Sequence, residues 1–279
     1  MMKKKNLTAL LLTAAMCAAL LAGCGGNASE SAAASPAASQ SADKKTFTVG
    51  FDASFPPYGY RDDSGEYVGF DLDLAEEVCK REGWELVKKP IDWDSKDMEL
   101  SSGSIDCIWN GFTINGREDK YTWSEPYINN TQVLVVTADS GIKDAADLSG
   151  KTILVQTDSS ALAALQDTSK PDNIALAKTF KELTQVPDYL TAFMSLDSGA
   201  ADAIAMDIGV AEYQISKRNG KYDILNTTLA SEQYGVGFKL GNTALRDTVQ
   251  KDLNAMAKDG TLMQISKKWG LEDAVCLGK

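Results

Sequence analysis

An acid stands directly behind an apolar run, where Ala203–Met206 (AIAM) ends in Asp207. A carboxylate at the C-terminal end of a buried α/β strand sits where such sheets bind ligands, and it suits an ammonium or another cation. The plainer reading is a loop or helix-capping acid. A second apolar run, KTILVQ (151–156), leads through Thr157, Asp158, Ser159 and Ser160 into an Ala/Leu-rich stretch. The free N–H groups at the start of that helix form an anion site. They can also simply be capped by Asp158 or Ser159, and both readings can hold because different donors serve them. Arg117, in the charged run GREDK, offers a planar fork that grips a carboxylate through two parallel hydrogen bonds. The alternative is an arginine on a solvated face.

Bond-breaking chemistry finds less support. The chain contains no histidine, so it lacks the usual general base near neutral pH and the commonest metal ligand. There is no nucleophile elbow, Walker loop or zinc motif. The five cysteines are Cys17, Cys24, Cys79, Cys107 and Cys276, none in CxxC spacing. The last three cannot all pair with one another, and buried thiols are expected. Neither a metal nor a cofactor is expected. The formal net charge of −11 repels phosphate backbones, so no nucleic acid is expected as a partner.

The N-terminus reads as an address. Met1–Lys5 is basic, Leu7–Leu21 is mostly Leu and Ala, and Leu21-Ala22-Gly23 precede Cys24. A basic start, an apolar run and small residues before a cut site describe an export signal over 1–23. The placement of Cys24 resembles the bacterial lipobox, which implies a lipidated Cys24 as the new first residue and an anchor in the cell membrane. An incidental cysteine after an ordinary signal is the alternative. Residues 24–45 are small and polar without periodicity, the composition of a flexible tether.

The whole chain of 279 residues, 44% hydrophobic and 24% charged, is enough for a sizeable core. Patterning predicts strands at 46–52, 86–91, 105–109, 132–137, 151–156, 203–206 and 234–238. Helices are predicted at 72–81, 98–101, 160–166, 186–198 and 243–259, and the segment 146–150 opens a second set of elements. Two sets of alternating strands and helices imply two α/β lobes with ligands at strand ends.

Several segments carry a resemblance to a known family. They are FDASFPPYGY (51–60), GEYVGFDLDLA (65–75), GSID (103–106), NGFTI (110–114), Arg117-Glu118 and SEPY (124–127). The series continues with DLSGK (147–151), ADA (201–203), Asp207, YGVGFK (234–239) and KWG (268–270). In that order and spacing the chain resembles the polar amino-acid substrate-binding proteins of ABC importers across residues 46–272. The resemblance implies an α/β fold, a two-lobed clamp of the type II periplasmic binding proteins with two mixed sheets. Lobe 1 would be 46–136 plus 233–279 and lobe 2 would be 137–232, with hinge crossovers near Val136 and Gln233. It also implies a monomer that receives a small-molecule amino acid outside the cell, closes on it, and works with an ABC transporter permease.

By the same resemblance Arg117 binds the ligand carboxylate, aided by Thr113, the backbone of Gly111 and the Ser159–Ser160 helix start. The loop from Thr113 to Arg117 is one residue shorter than is common in the family and uses Gly116. Asp158 stands where the family often has glycine, so its carboxylate must point away from the ligand. Asp207 takes the ammonium. Asp52, Phe55, Trp93, Asn110 and Gln156 surround the side chain. Aromatic faces at Phe55 and Trp93 suit alkyl stems and cations, with simple core packing as the alternative. Asp52 favours glutamine, a basic amino acid or cystine. Two other classes share the scaffold: a lyase of the cyclohexadienyl dehydratase type, which needs a catalytic carboxylate, and a sensing module, which needs a partner protein.

Overall fold

The structure, a computed structural model, describes residues 45–279. The expected signal segment 1–23, Cys24 and all but the last residue of the tether lie outside the described residues.

Two mixed sheets organise the chain. The first has five strands, in the order Glu85–Pro90, Thr46–Phe51, Cys107–Ile108, Gly237–Phe238 and Thr122–Trp123. The first three are parallel, and the pairings of Gly237–Phe238 on either side are antiparallel. The second sheet runs Glu182–Val186, Thr152–Gln156, Ala203–Asp207, Ile128–Thr137 and Tyr222–Ile224, and Ala230–Tyr234 also pairs with Ile128–Thr137. Ala203–Asp207 has a strand on each side and is buried at every residue. That is why it reads as an unbroken apolar run rather than as an alternation.

Helix Phe70–Glu82 buries Phe70, Leu72, Leu74, Ala75 and Val78 and keeps most of its charges outward. It begins after Gly69, whose φ of 151° is open to glycine; a Cβ there would lie 2.1 Å from the Tyr58 carbonyl oxygen. Its opening is thereby pressed against the 55–60 turn beside the cleft.

Several boundaries differ from the sequence expectation for physical reasons. The apolar stretch 186–198 is not one helix: Val186 closes the Glu182–Val186 strand and the helix spans Tyr189–Asp197. Pro187 intervenes, and Asp188 Oδ1 accepts the Thr191 N–H at 2.7 Å to cap the helix. The run 234–238 divides between the sheets, with Tyr234 in the second and Gly237–Phe238 in the first. The first crossing lies earlier than Val136. Val133–Val136 pair with Ala203–Met206 inside the second sheet, whereas Ile128 bridges Val275 and the Asn129 N–H donates to Ala274. β-Branched residues such as Val133, Val135 and Val136 find neighbours on both sides only within the sheet, so the chain changes lobes around Ile128–Asn130.

Among the described residues no helix is long and apolar enough to cross a membrane. No cluster of Cys, Asp and Glu among them is arranged to hold a metal. Cys79, Cys107 and Cys276 are free thiols, the first two buried.

Candidate functional site

A small, nearly closed cavity lies where the strand ends of the two sheets meet. Phe55, Trp93, Gly111, Thr113 and Arg117 line it from the first lobe, and Gln156, Ser159, Ser160 and Asp207 from the second. Of the residues expected at a site, only Asp52 and Asn110 do not line it. Asp52 faces a neighbouring open cleft whose walls include Asp92, Trp93, Asp94, Glu99 and Asp188. Asn110 stands behind, accepting the Asp52 N–H on Oδ1 at 3.0 Å.

Arg117 is held by neutral groups. Its Nη1 donates to the Thr113 carbonyl at 3.3 Å and Nη2 to the Asp158 carbonyl at 3.2 Å, and the guanidinium lies 5.3 Å from the Phe112 ring centre. Among the described residues no carboxylate pairs with it, so its charge remains available to an incoming anion. The short loop before it turns at Gly116, with φ 78°, and still delivers the guanidinium to the cavity.

Across the cavity Ser159 caps helix Ser160–Gln166, its Oγ accepting the Leu162 N–H at 3.2 Å. The Ser160 hydroxyl lies 3.2 Å from Thr113 Oγ1, a contact that joins the two lobes. Asp158, at φ 55°, turns its carboxylate onto the ammonium of Lys96, a lysine only 1% exposed that also donates to the Trp93 carbonyl. Burial pushes the Lys96 pKa down and Asp158 opposes that shift. Lys96 stands in the polar run DWDSKD, which reads as solvated surface, so nothing in the sequence marks it.

The glycine at 111 is required by close approach as well as by its φ of 55°. A Cβ there would lie 2.7 Å from Phe55 Cε1. Its N–H is already committed to Asp71 Oδ2 at 2.6 Å, and Tyr127 donates to the other oxygen of that acid at 2.9 Å. Only the carbonyl of Gly111 can therefore serve a ligand, which narrows the expected backbone role. Burial holds the Asp71 carboxyl up at about 7 despite those two donors.

The acids of the site sit in different surroundings. Asp52 accepts the Ser54 N–H and Gln156 Nε2, both at 2.7 Å, and burial raises its pKa to about 6. Asp207 accepts from Asn130 (2.8 Å), Gln132 (2.6 Å) and Tyr234 (2.6 Å) on Oδ1 and from Tyr189 (3.2 Å) on Oδ2. Burial first, and then the charge of Glu232, raises its pKa to about 7. Glu232, Asn130, Gln132 and Tyr189 are absent from the sequence expectation. Their only trace is the polar alternation Asn130, Gln132 ahead of the apolar run, together with a strand register that the sequence does not print.

The aromatics of the cavity also belong to packed clusters. Phe55 stacks near Tyr58 and Tyr189, with ring centres 5.7 and 5.8 Å away, and Trp93 meets Phe112 edge-on at 5.5 Å.

Comparison with known proteins fits this arrangement. The family model of the bacterial extracellular solute-binding proteins, family 3, matches residues 47–272. The chain is 32% identical over 275 residues to the L-cystine-binding protein TcyA of Bacillus subtilis (strain 168), covering 97% of this chain and 98% of that one. It is 31% identical over 230 residues to the L-cystine-binding protein TcyJ of Escherichia coli (strain K12), covering 81% and 83%. A Streptococcus pneumoniae substrate-binding protein of an ABC uptake transporter, solved with bound histidine, superposes with a TM-score of 0.77 at 34% identity. The match covers 82% of this chain and 94% of that one.

Proposed function

The chain belongs to the bacterial extracellular solute-binding proteins, family 3, and from that membership we propose that it captures one polar amino acid between its lobes outside the cytoplasm and delivers it to an ABC importer. The observation that carries the proposal is the pairing of opposite fittings across one small cavity. Arg117, with no carboxylate partner among the described residues, stands on one lobe, and Asp207 lies at a strand end of the other. A zwitterion satisfies both charges at once, and burying either charge unpaired would be costly. Binding without turnover is favoured because Asp207, which lines the cavity, and Asp52, in the neighbouring cleft, are both engaged by amide or hydroxyl donors.

The test is a thermal-shift screen against the twenty amino acids plus cystine and ornithine. A ligand at a hundred times its Kd adds about 2.7 kcal/mol of stability, which for a domain of this size is a rise of roughly 5–11 °C in Tm. The expected outcome is a rise of that size for one or a few polar amino acids; a flat panel would remove the proposal. Relatives that bind cystine and a neighbour with bound histidine place those ligands, with arginine, lysine, ornithine and glutamine, first in the screen.

The lipid anchor is proposed on the sequence alone. If Cys24 carries two acyl chains, which hold a membrane where one is marginal, Cys24→Ala should release the protein from the membrane fraction completely. Mass spectrometry of the mature wild-type N-terminus decides the matter, and an unmodified Cys24 would end the proposal.

A further inference from the structure

The acid that stands beside Asp207 has no place in the clamp described so far. Glu232 is 6% exposed, and a single oxygen, Oε1, accepts from Asn130 at 2.7 Å, Gln132 at 2.8 Å, Thr113 at 2.8 Å and Ser160 at 3.2 Å. The first two donors are shared: the same amide nitrogens reach Asp207 Oδ1 at 2.8 and 2.6 Å. Two buried amide groups therefore lie between two buried carboxylates. Their own oxygens, Asn130 Oδ1 and Gln132 Oε1, are buried and accept no hydrogen bond among the described residues. The cluster thus has acceptor capacity to spare and faces a cavity wall formed by Thr113, Ser160 and Asp207.

The strand register fixes this arrangement. Asp207 pairs with Gln132, and Glu232 with Asn130, two residues along the same strand. All four side chains therefore stand on one face of the second sheet, whatever the opening of the lobes. Two carboxylates held this close do not both ionise readily in a buried place. Among the described residues no cation pairs with either acid, and Arg117 on the cavity wall donates to carbonyls.

We propose that Glu232 completes the ammonium subsite: with Asp207 it forms a two-acid unit that keeps one proton while the site is empty and gives it to solvent as the ligand's ammonium arrives. The proposal rests on the reading of the cavity as an amino-acid site. The ammonium, with its own three N–H donors, supplies the positive charge that lets both carboxylates ionise together. Glu232 is a positioning residue, acting on the ligand through Asp207, Thr113 and Ser160.

The other titratable groups facing the pair leave this proton to the acids. Tyr189, Tyr234 and Tyr58 all have their hydroxyl pKa driven far up by burial and by the neighbouring acids. Asp71 and Glu212 also act on Tyr58, and Asp52 on Tyr189. Asp207, at about 7, marks where the unit gives up its proton. The sign follows: the ionised pair is the form that binds, so affinity is full above that range and falls as pH drops through it.

The experiment is titration calorimetry of wild type and Glu232→Gln with L-arginine, L-glutamine and L-cystine at pH 6, 7 and 8. Each run is repeated in two buffers of different ionisation enthalpy to count protons. For whichever of the three binds tightest, wild type should release more protons at pH 6 than the variant, and its affinity should fall by up to about tenfold per pH unit below about 7 and more steeply than the variant's. The variant should keep the pH dependence owed to Asp52 and to the burial of Asp207, which both proteins share. Parallel pH profiles with equal proton counts would overturn the inference and leave the amino-acid reading standing. A carboxyl ¹³C titration of the ligand-free wild-type protein decides the proton independently, even if none of the three amino acids binds. A step near pH 7 from these two acids that moves down in Glu232→Gln, while the Asp71 step stays, supports the unit. The absence of any step above pH 6 from these two acids overturns it.

Discussion

Arg117→Ala is expected to weaken amino-acid binding at least about thirtyfold and to leave the fold unchanged. Removing one partner of a buried, hydrogen-bonded charge pair costs about 2–5 kcal/mol, much of it because the ligand carboxylate is left unpaired. The lower bound corresponds to roughly thirtyfold. The fold should survive because Arg117 is only half-buried and its guanidinium donates to two main-chain carbonyls, with no buried carboxylate depending on it. Arg117→Lys keeps the charge and loses the fork, so it should fall between wild type and alanine. Calorimetric Kd values, read beside melting temperatures, check the claim. A Kd for Arg117→Ala close to the wild-type value would mean that the carboxylate is held elsewhere, with the Ser159–Ser160 helix start as the next candidate.

The parts of the site visible in the sequence are those that local pattern can carry. Asp207 follows an unbroken apolar run because its strand has neighbours on both sides, and Ser159 precedes its helix because a cap must. Asn130, Gln132 and Glu232 were hidden for the opposite reason. They come from the segments where the chain changes lobes, and they meet only through the pairing of Asn130 with Glu232 and of Gln132 with Asp207. No spacing within one strand records a partner a hundred residues away. Helix Pro171–Thr179 was also missed, since it buries no residue and has no apolar face to announce it. Lys96 is hidden for a third reason. A lysine is almost never fully buried unless paired, and its partner Asp158 belongs to the opposite lobe.

Asp52→Asn is expected to change which amino acid the protein prefers. Asp52 is buried at the edge of the cavity with Gln156 Nε2 on one oxygen, and it opens onto a cleft lined by Asp92, Asp94, Glu99 and Asp188. A ligand side chain that passes between Phe55 and Trp93 therefore ends among acids. Such a place welcomes a guanidinium, an ammonium or the second amino group of cystine, and the aromatic faces add attraction for positive charge. Glutamate and aspartate should bind poorly, because they would add a carboxylate to this set. Leucine should too, since it would leave Asp52 desolvated without a donor. A hydrogen bond between charged partners contributes about 1.5–3 kcal/mol, so a cationic ligand should lose roughly ten- to a hundredfold in Asp52→Asn, and a neutral amide less than about tenfold. The pH dependence has a definite sign. Burial holds the Asp52 pKa near 6, and its ionised form binds the cation, so wild-type affinity for a cationic ligand should rise between pH 5 and 7. The part of that rise owed to Asp52 should vanish in the variant. A competition series with glutamine, arginine, lysine, cystine, glutamate and leucine on both proteins reads all of this at once. Tight wild-type binding of glutamate or leucine would overturn the side-chain argument, and equal affinities in the two proteins would show that Asp52 only supports Gln156 and the Ser54 turn.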